Sequence, residues 1–291
     1  IRKIGKRALI PVARMAQVVN EIQALEPEQR LPTTGTFDEL QCLGDNFNDL
    51  LDRLRESFER QSRFTGEAAH QLRTPLTALL GQVEVALRKS RDPEQYRSVL
   101  NKVHEQGSRL HQIVEALLFL ARADHDSAQP VLEDLELGQW LDEELVTWQE
   151  HARINDITVV KEEALCWIRG HRSLLSQILF VLLDNACKHS EPGDSIIISL
   201  QTSDTEVILS VEDKGIGIPE DDIPHVLEPF YRSEQVRQKG LPGTGLGLTI
   251  AHRIARTLDA DFCVESMQGE GSKVSLCFNL IITPGENRIS S

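Results

Sequence analysis

An α+β chain is predicted: an N-terminal helical region that forms a coiled coil and a four-helix bundle, then an α/β sandwich with a mixed sheet and helices on one face. Three observations predict it. Apolar residues recur at alternating three- and four-residue steps through most of residues 38–120. Beyond residue 130, short β-branched runs alternate with helical stretches. Between the two lies Ala123-Asp-His-Asp-Ser-Ala-Gln-Pro130, a polar stretch closed by Pro.

The helical half opens with a short amphipathic segment, Pro11 to about Leu25, and a connector holding Pro27, Pro32 and Gly35. Asp38 starts a long helix. Leu40, Leu43, Phe47, Leu50 and Leu54 form one stripe; Phe47, Leu51, Leu54 and Phe58 form a shifted one. That overlap predicts a coiled coil whose register changes along its length. The stripe resumes at Leu72, Leu76, Leu79, Val83 and Ala86, and a turn follows at Arg88 to Asp92. Asp92, Pro93 and Gln95 suit the N-cap, first and third positions of a new helix. Its stripe is Tyr96, Val99, Val103, Gln106, Leu110, Ile113, Leu117 and Leu120. Two such helices make an antiparallel hairpin whose narrow seam is too exposed to stand alone. A second copy closes a four-helix bundle, so the pattern predicts a homodimer.

In the second half, Ile157 to Val160 and Cys166 to Ile168 read as strands, and Leu174 to Cys187 as a buried helix. Ile196 to Leu200 and Val207 to Val211 read as a hairpin across Thr202-Ser-Asp-Thr205. Residues 219–245 are polar, with Gly and Pro and little periodicity. Leu246 to Leu258 is helical, and Phe262 to Ser266 and Val274 to Phe278 are the last strands. Neighbouring strands without an intervening helix favour an antiparallel or mixed sheet.

Composition narrows the function. The net charge of −14 excludes nucleic acid as the main partner, because phosphate backbones demand clustered Lys and Arg. The five scattered cysteines form no C-x-x-C pair and read as buried thiols of a reducing compartment. The longest interior apolar run, Ile178 to Leu183, falls far short of the ~20 residues of a membrane span. No signal peptide is visible, and the start at Ile1 rather than Met leads one to expect a fragment or processed product.

Three segments carry candidate chemistry. His70 lies ~160° around the helix from Leu72 and so points away from the seam, with Thr74 one turn on along its face. Pro75 deprives the Gln71 carbonyl of its helical donor and is expected to bend or loosen the helix. A plain surface histidine is the competing reading; His104, His111 and His125 take it. Asp213-Lys-Gly-Ile-Gly-Ile218 follows a strand, and Gly243-Thr-Gly-Leu-Gly-Leu248 opens a helix. Such glycines let backbone N–H groups approach phosphates, although Gly-rich turns are common. Neither is a dinucleotide fingerprint or a P-loop. In Asp184-Asn-Ala-Cys-Lys-His189, Asn185 can offer its amide oxygen to Mg²⁺ and Lys188 can meet a phosphate. Ordinary helix-end polarity explains that segment as well. Asp213 can accept from an adenine amino group or simply form a turn.

Together these segments resemble a sensor histidine kinase of two-component signalling. His70-Gln-Leu-Arg-Thr-Pro-Leu76 resembles the phospho-acceptor box and Gln177 to His189 the asparagine box. Asp213 to Ile218 resembles the first glycine box, and Glu228-Pro-Phe-Tyr-Arg232 the phenylalanine box. Gly243 to Leu248 resembles the second glycine box, and Gly269-Glu-Gly-Ser272 a final one. The resemblance implies three domains: a HAMP-like linker over 1–60, a dimerisation and phosphotransfer hairpin over 61–126, and an ATP-binding domain over 127–291. It implies ATP and Mg²⁺ as cofactors. His70 would be the phospho-acceptor, with Gln71 beside it and Thr74 orienting a water for dephosphorylation of the partner. Asn185 would hold Mg²⁺, Lys188 and His189 would line the nucleotide, and Asp213, Gly215 and Gly217 would form the adenine pocket. Residues 219–245 would be a mobile lid with Arg232 near the γ-phosphate, and Gly243, Thr244, Gly245, Leu246 and Gly247 would hinge it and bind phosphates. A response-regulator receiver domain would be the partner. The membrane would enter only through a transmembrane segment missing from this sequence, making the chain the cytoplasmic portion of a receptor. Two residues depart from the family's pattern: Gln71 stands where relatives mostly carry an acid, and Val181 where they often carry a second Asn. Rival readings are an ATPase without histidine transfer and a non-catalytic scaffold.

Overall fold

The computed structural model describes residues 38–125, 130–162 and 165–281. The expected segment from Pro11 to Leu25, its connector and the core of the boundary at 126–129 lie outside the described residues. The molecule divides into two compact units, residues 1–69 and 70–291, a division that falls inside the first helix.

Helix α1 is Asp38–Leu87 and α2 is Pro93–His125. In the first unit, Leu50, Leu54 and Phe58 of the expected stripe are exposed. In the second, α1 and α2 form the hairpin. Asp92 caps α2 as the sequence predicts: its Oδ1 accepts from the Gln95 N–H at 2.8 Å, and its carbonyl from the Tyr96 N–H at 3.1 Å. Arg91 Nη2 closes the turn on the Val85 carbonyl at 3.0 Å. Pro75, Ala86, Ile113, Ala116 and Leu120 are buried, whereas Leu76, Leu80, Leu100 and Leu118 remain exposed. Helix α1 runs through Pro75 unbroken.

The α/β half has a five-stranded sheet in the order β2-β4-β5-β7-β6. These strands are β2 (Ile157–Lys161), β4 (Ile196–Thr202), β5 (Glu206–Asp213), β6 (Asp261–Met267) and β7 (Gly271–Asn279). The β2–β4 pair is parallel and the rest are antiparallel, so the sheet is mixed. Two long helices pack on each other and on the sheet: α4 (Arg172–His189) and α6 (Gly247–Thr257). Leu175, Ile178, Leu179, Leu182 and Leu183 of α4 are buried, as are Ile196, Ile198 and Leu200 of β4 and Val207, Leu209 and Val211 of β5, with α4 packed on β5. Each side chain of this size contributes ~1.5–3 kcal/mol on burial.

The sequence reading lacks two elements. Strand β1 (Glu133–Glu136) pairs antiparallel with β3 (Trp167–Gly170), and helix α3 (Leu137–Thr147) follows it. The Glu136 carboxylate caps α3 through the Gly138 and Gln139 N–H groups and also accepts from the Cys166 N–H at 3.1 Å. Cys166 therefore precedes β3 rather than starting it. The cysteines need correction too. Only Cys166 is buried, and Cys42 and Cys263 are exposed. Cys263 sits on β6, an edge strand whose alternate side chains face outward.

Candidate functional site: the hairpin histidine and the glycine segments

His70 is exposed on α1, and Gln71 beside it is half-buried. Thr74 donates its hydroxyl to the His70 carbonyl at 3.2 Å. This ties the two residues one turn apart and leaves the Thr74 oxygen free to accept. His104 and His111 are exposed as well, so exposure alone does not single out His70.

At 100° per residue, Val181, Asn185 and Lys188 share one face of α4. Gly247, the first residue of α6, lies against that face. A Cβ on Gly247 would stand 3.2 Å from Val181 Cγ1 and 3.6 Å from Asn185 Oδ1. Lys188 is ion-paired with Asp184. His189 is half-buried, and desolvation pushes its pKa down, with Lys188 and Arg232 adding to the effect. Its carbonyl accepts from the Ile216 N–H at 3.0 Å, which fastens the end of α4 to the first glycine segment.

That fastening depends on Arg153, a residue the sequence reading passed over. Its buried guanidinium donates to the carbonyls of Cys187 at 2.9 Å, Ser190 at 3.1 Å and Glu191 at 2.7 Å. It also pairs with Asp156, holding that carboxyl below its usual range. A cation over the last carbonyls of α4 meets the negative end of the helix dipole. Nothing in the sequence around Arg153 announces this role, because Arg153 and the 187–191 stretch converge only in space.

The glycines sort into two kinds. Gly217, at φ 63°, carries the chain in a left-handed turn where a Cβ would strike the Met267 carbonyl. Gly245, at φ 72°, is pressed against the Phe230 and Tyr231 backbone, and its carbonyl accepts from the Phe230 N–H at 2.8 Å. These are required by chain packing. Gly243 is different: nothing lies within 4 Å of where its Cβ would be. Thr244 Oγ1 accepts from the Leu246 N–H at 3.3 Å. The Leu246 side chain is buried in the core and its carbonyl accepts from the Ile250 N–H, so a ligand can meet Leu246 only at its N–H, in place of Thr244 Oγ1.

Asp213 ends β5, only 8% exposed. Burial pushes its carboxyl pKa up, against the lowering effect of the Gly215 and Ser272 N–H groups. The Gly215 bond is 2.8 Å. In the stretch 219–245, Glu220–His225 forms a 3₁₀ turn and α5 (Glu234–Gln238) a short helix capped by Ser233. The Tyr231 hydroxyl donates to Asp222 at 2.6 Å, which pushes its pKa up to about 12. Arg232 donates to the Leu241 carbonyl; its pKa is lowered by burial and by Arg109 and Arg237.

This constellation fits a nucleotide with Mg²⁺. A carboxylate offers about four acceptor sites, so Asp213 has room for an exocyclic amine beside its two N–H donors. Among the described residues no cluster of His, Cys, Asp or Glu could hold a metal unaided. Mg²⁺ takes only one or two protein oxygens and completes its shell with phosphates and water. Asn185, half-exposed beside Gly247, is the available oxygen.

Two family models match. Residues 60–126 match the His Kinase A (phospho-acceptor) domain, and residues 170–282 match the histidine kinase-, DNA gyrase B- and HSP90-like ATPase. The chain belongs to the sensor histidine kinase family. Relatives of this family align over most of its length. Sensor histidine kinase YkoH of Bacillus subtilis is 31% identical over 95% of the chain and 60% of the relative. Sensor protein IrlS of Burkholderia pseudomallei is 32% identical over 86% and 54%. Sensor histidine kinase CusS of Escherichia coli K12 is 30% identical over 84% and 51%. The chain thus spans between 51% and 60% of these curated relatives. Among solved structures, histidine kinase ThkA in complex with response regulator protein TrrA shares the fold. Its TM-score is 0.63 at 23% identity, over 78% of this chain and 64% of that one. Acinetobacter baumannii histidine kinase AdeS gives 0.55 at 24%, over 73% and 98%.

Proposed function

We propose that the chain is the autophosphorylating part of a sensor histidine kinase, binding Mg·ATP and transferring the γ-phosphate to His70. The observation that carries this is the pairing of an exposed histidine on a helical hairpin with a glycine-lined Asp213–Asn185 constellation in the same compact unit. Residues 61–126 serve as the phosphotransfer hairpin, paired in a homodimer, and 127–291 as the catalytic domain. Residues 1–60 serve as a HAMP-like linker to a membrane segment, which places the kinase part in the cytoplasm. Among the described residues no helix is long and apolar enough to cross a membrane.

The residue roles follow from chemistry. Asp213 accepts from the adenine amine, with Gly215 and Gly217 shaping the turn beside it. Asn185 gives its oxygen to Mg²⁺, which when bound neutralises phosphate charge. Lys188, released from Asp184, and Arg232 balance the remainder, with His189 lining the cleft. The backbone of Gly243, Thr244, Gly245, Leu246 and Gly247 offers N–H groups to the phosphates, and residues 219–245 close as a lid. A neutral ring nitrogen of His70 uses its lone pair to form the P–N bond while the bond to the bridging oxygen breaks, and that electron pair leaves with ADP. The ring then gives up its other proton to solvent. Positioning supplies most of the acceleration. The phosphoryl group passes on to an aspartate of a response-regulator receiver domain, and the Thr74 oxygen holds a water that later hydrolyses that aspartyl phosphate to inorganic phosphate.

Labelling with γ-labelled ATP tests this reading. Wild type should take up acid-labile, base-stable phosphate, and His70→Gln should take up none while still binding nucleotide. Label persisting in His70→Gln refutes the acceptor. ATP binding without any label in wild type returns the chain to a scaffold.

A further inference from the structure

One side-chain hydrogen bond joins the hairpin to the second glycine segment. Arg109, half-buried on α2, donates from Nη2 to the Gly243 carbonyl at 3.4 Å. Around it α2 packs against α6. Arg109 also sits at a particular height. His70 lies 17 residues before the end of α1, and Arg109 lies 16 residues after the start of α2. At ~1.5 Å per residue, both stand ~25 Å from the turn that joins the helices. An antiparallel hairpin therefore brings Arg109 to the level of His70, on the neighbouring helix.

Its surroundings are cationic. Arg232 is close enough for Arg109 to depress its pKa, in addition to burial. Among the described residues neither arginine pairs with a carboxylate; each gives an N–H to a backbone carbonyl, Gly243 for one and Leu241 for the other. Two guanidinium groups drawn together without a counter-charge repel. The same pair becomes favourable once an anion lies between them, because a guanidinium matches phosphate oxygens in bidentate fashion. The glycine segment leads into the N-terminus of α6, which has no side-chain cap, and such an end offers N–H groups to an anion. The space at Gly243 is open. At 3.4 Å the Gly243 bond is long for an N–H···O contact, and a phosphate oxygen is a stronger, charge-assisted acceptor.

We propose that Arg109 is a phosphate-binding residue supplied by the phosphotransfer hairpin itself. It exchanges the Gly243 carbonyl for the terminal phosphate of bound ATP and, with Arg232, holds that phosphate at the height of His70. This rests on the ATP-to-His70 reading above and adds a residue to it that no glycine or asparagine segment contains. It also makes the hairpin a reader of the nucleotide: ADP lacks the group that Arg109 holds, so the contact distinguishes ATP from ADP.

Calorimetric titration of the whole chain with ADP and with a non-hydrolysable ATP analogue tests the proposal, using wild type, Arg109→Ala and Arg109→Lys. Wild type should bind the triphosphate more tightly than ADP. Arg109→Ala should lose roughly tenfold in triphosphate affinity and keep its ADP affinity, which also reports that the α/β half is folded. Arg109→Lys should recover part of the loss, since it keeps the charge but not the planar fork. Autophosphorylation of Arg109→Ala should fall about tenfold at saturating nucleotide. An unchanged ATP-to-ADP preference overturns the proposal. Faster labelling of Arg109→Ala overturns it as well, and would make the Gly243 contact a latch on the resting protein. If wild type takes no label at His70, the parent reading fails; if wild type and Arg109→Ala label equally, only the Arg109 inference falls.

Discussion

Among the described residues of the hairpin, Ile113 is the one large side chain buried completely, whereas α4 alone buries Ile178, Leu179 and Leu183 to that degree. The cause is geometric. Each hairpin helix has one apolar stripe, and two stripes cover each other only along a line. In the α/β half, helices lie over one face of the sheet, so β4, β5 and α4 bury a whole shared surface rather than a line. The difference matters for function. A thin helical scaffold can present His70 to solvent and to another protein's active site. On the proposed reading, Asp213 and Asn185 must be held in fixed positions around a nucleotide, which requires a closed core behind them.

The comparison breaks most visibly if the open seam is charged. Leu80 is 51% exposed and Leu118 44%. If a second copy completes the bundle, Leu80→Glu with Leu118→Glu should weaken the dimer on the order of a thousandfold. Four leucines are lost per dimer, and carboxylates are forced toward an apolar interior. Sedimentation should then give half the wild-type mass, with nucleotide affinity unchanged because the α/β core does not depend on that seam. An unchanged mass would mean that something other than a second copy covers these residues.

The same contrast explains what was legible in the sequence. The hairpin could be read because a stripe repeated over many turns is a strong signal, and Asp92-Pro93 marked the second helix start to the residue. The strands of the large sheet were legible from β-branched runs. β1 was not: Glu-Asp-Leu-Glu is a strand only because β3 offers it a partner. α3 carried a usable signal in Leu137, Trp140 and Leu141, spaced for one helix face, but its cap is Glu136, outside the usual N-cap residues. The glycine segments were legible from their pattern, but the packing that requires two of their glycines was not. Gly217 and Gly245 are glycine because other backbone runs against them, whereas Gly243 has open space where its Cβ would be. Arg153 and Arg109 were invisible because a lone arginine gains meaning only from the carbonyls it meets.

A second prediction separates stability from function within the α/β half. Asp213 has a folded pKa above its ordinary value, chiefly through burial. The folded state therefore binds a proton more readily than the unfolded state. The stability associated with the protonated group is full below about pH 4 and is lost as pH rises through the folded value. Asp213→Asn escapes that loss. Its thermal midpoint, relative to wild type, should be more favourable at pH 7 than at pH 4. ATP affinity should fall roughly ten- to a hundredfold, because the amide turns an N–H₂ toward groups that need an acceptor. Parallel melting curves at the two pH values, with a titration at pH 7, check both halves. A midpoint difference that widens toward low pH would contradict the buried-carboxyl account.

The smallest expected effect returns to the hairpin. Gln71, half-buried beside His70, should limit autophosphorylation, and Gln71→Glu should speed it several-fold. The imidazole gains positive charge as its nitrogen bonds to phosphorus, and it must then lose a proton. A carboxylate favours the charged ring and can receive that proton; an amide can only orient the ring. Positioned general bases contribute ~10²–10⁴-fold, but Gln71 already supplies orientation and water already accepts the proton, so most of that factor is in hand. The opposing force is repulsion between a new carboxylate and the ATP phosphates. Arg109 and Arg232 would screen that repulsion if they hold the terminal phosphate as proposed. Initial rates at saturating Mg·ATP across a pH series decide between the two. A gain that grows as pH falls below about 7 would mark the carboxylate as proton acceptor, because hydroxide, the stronger of the solvent acceptors, becomes scarcer there and leaves only the weak base water. An equal or lower rate at every pH would show that the missing acid does not limit this kinase.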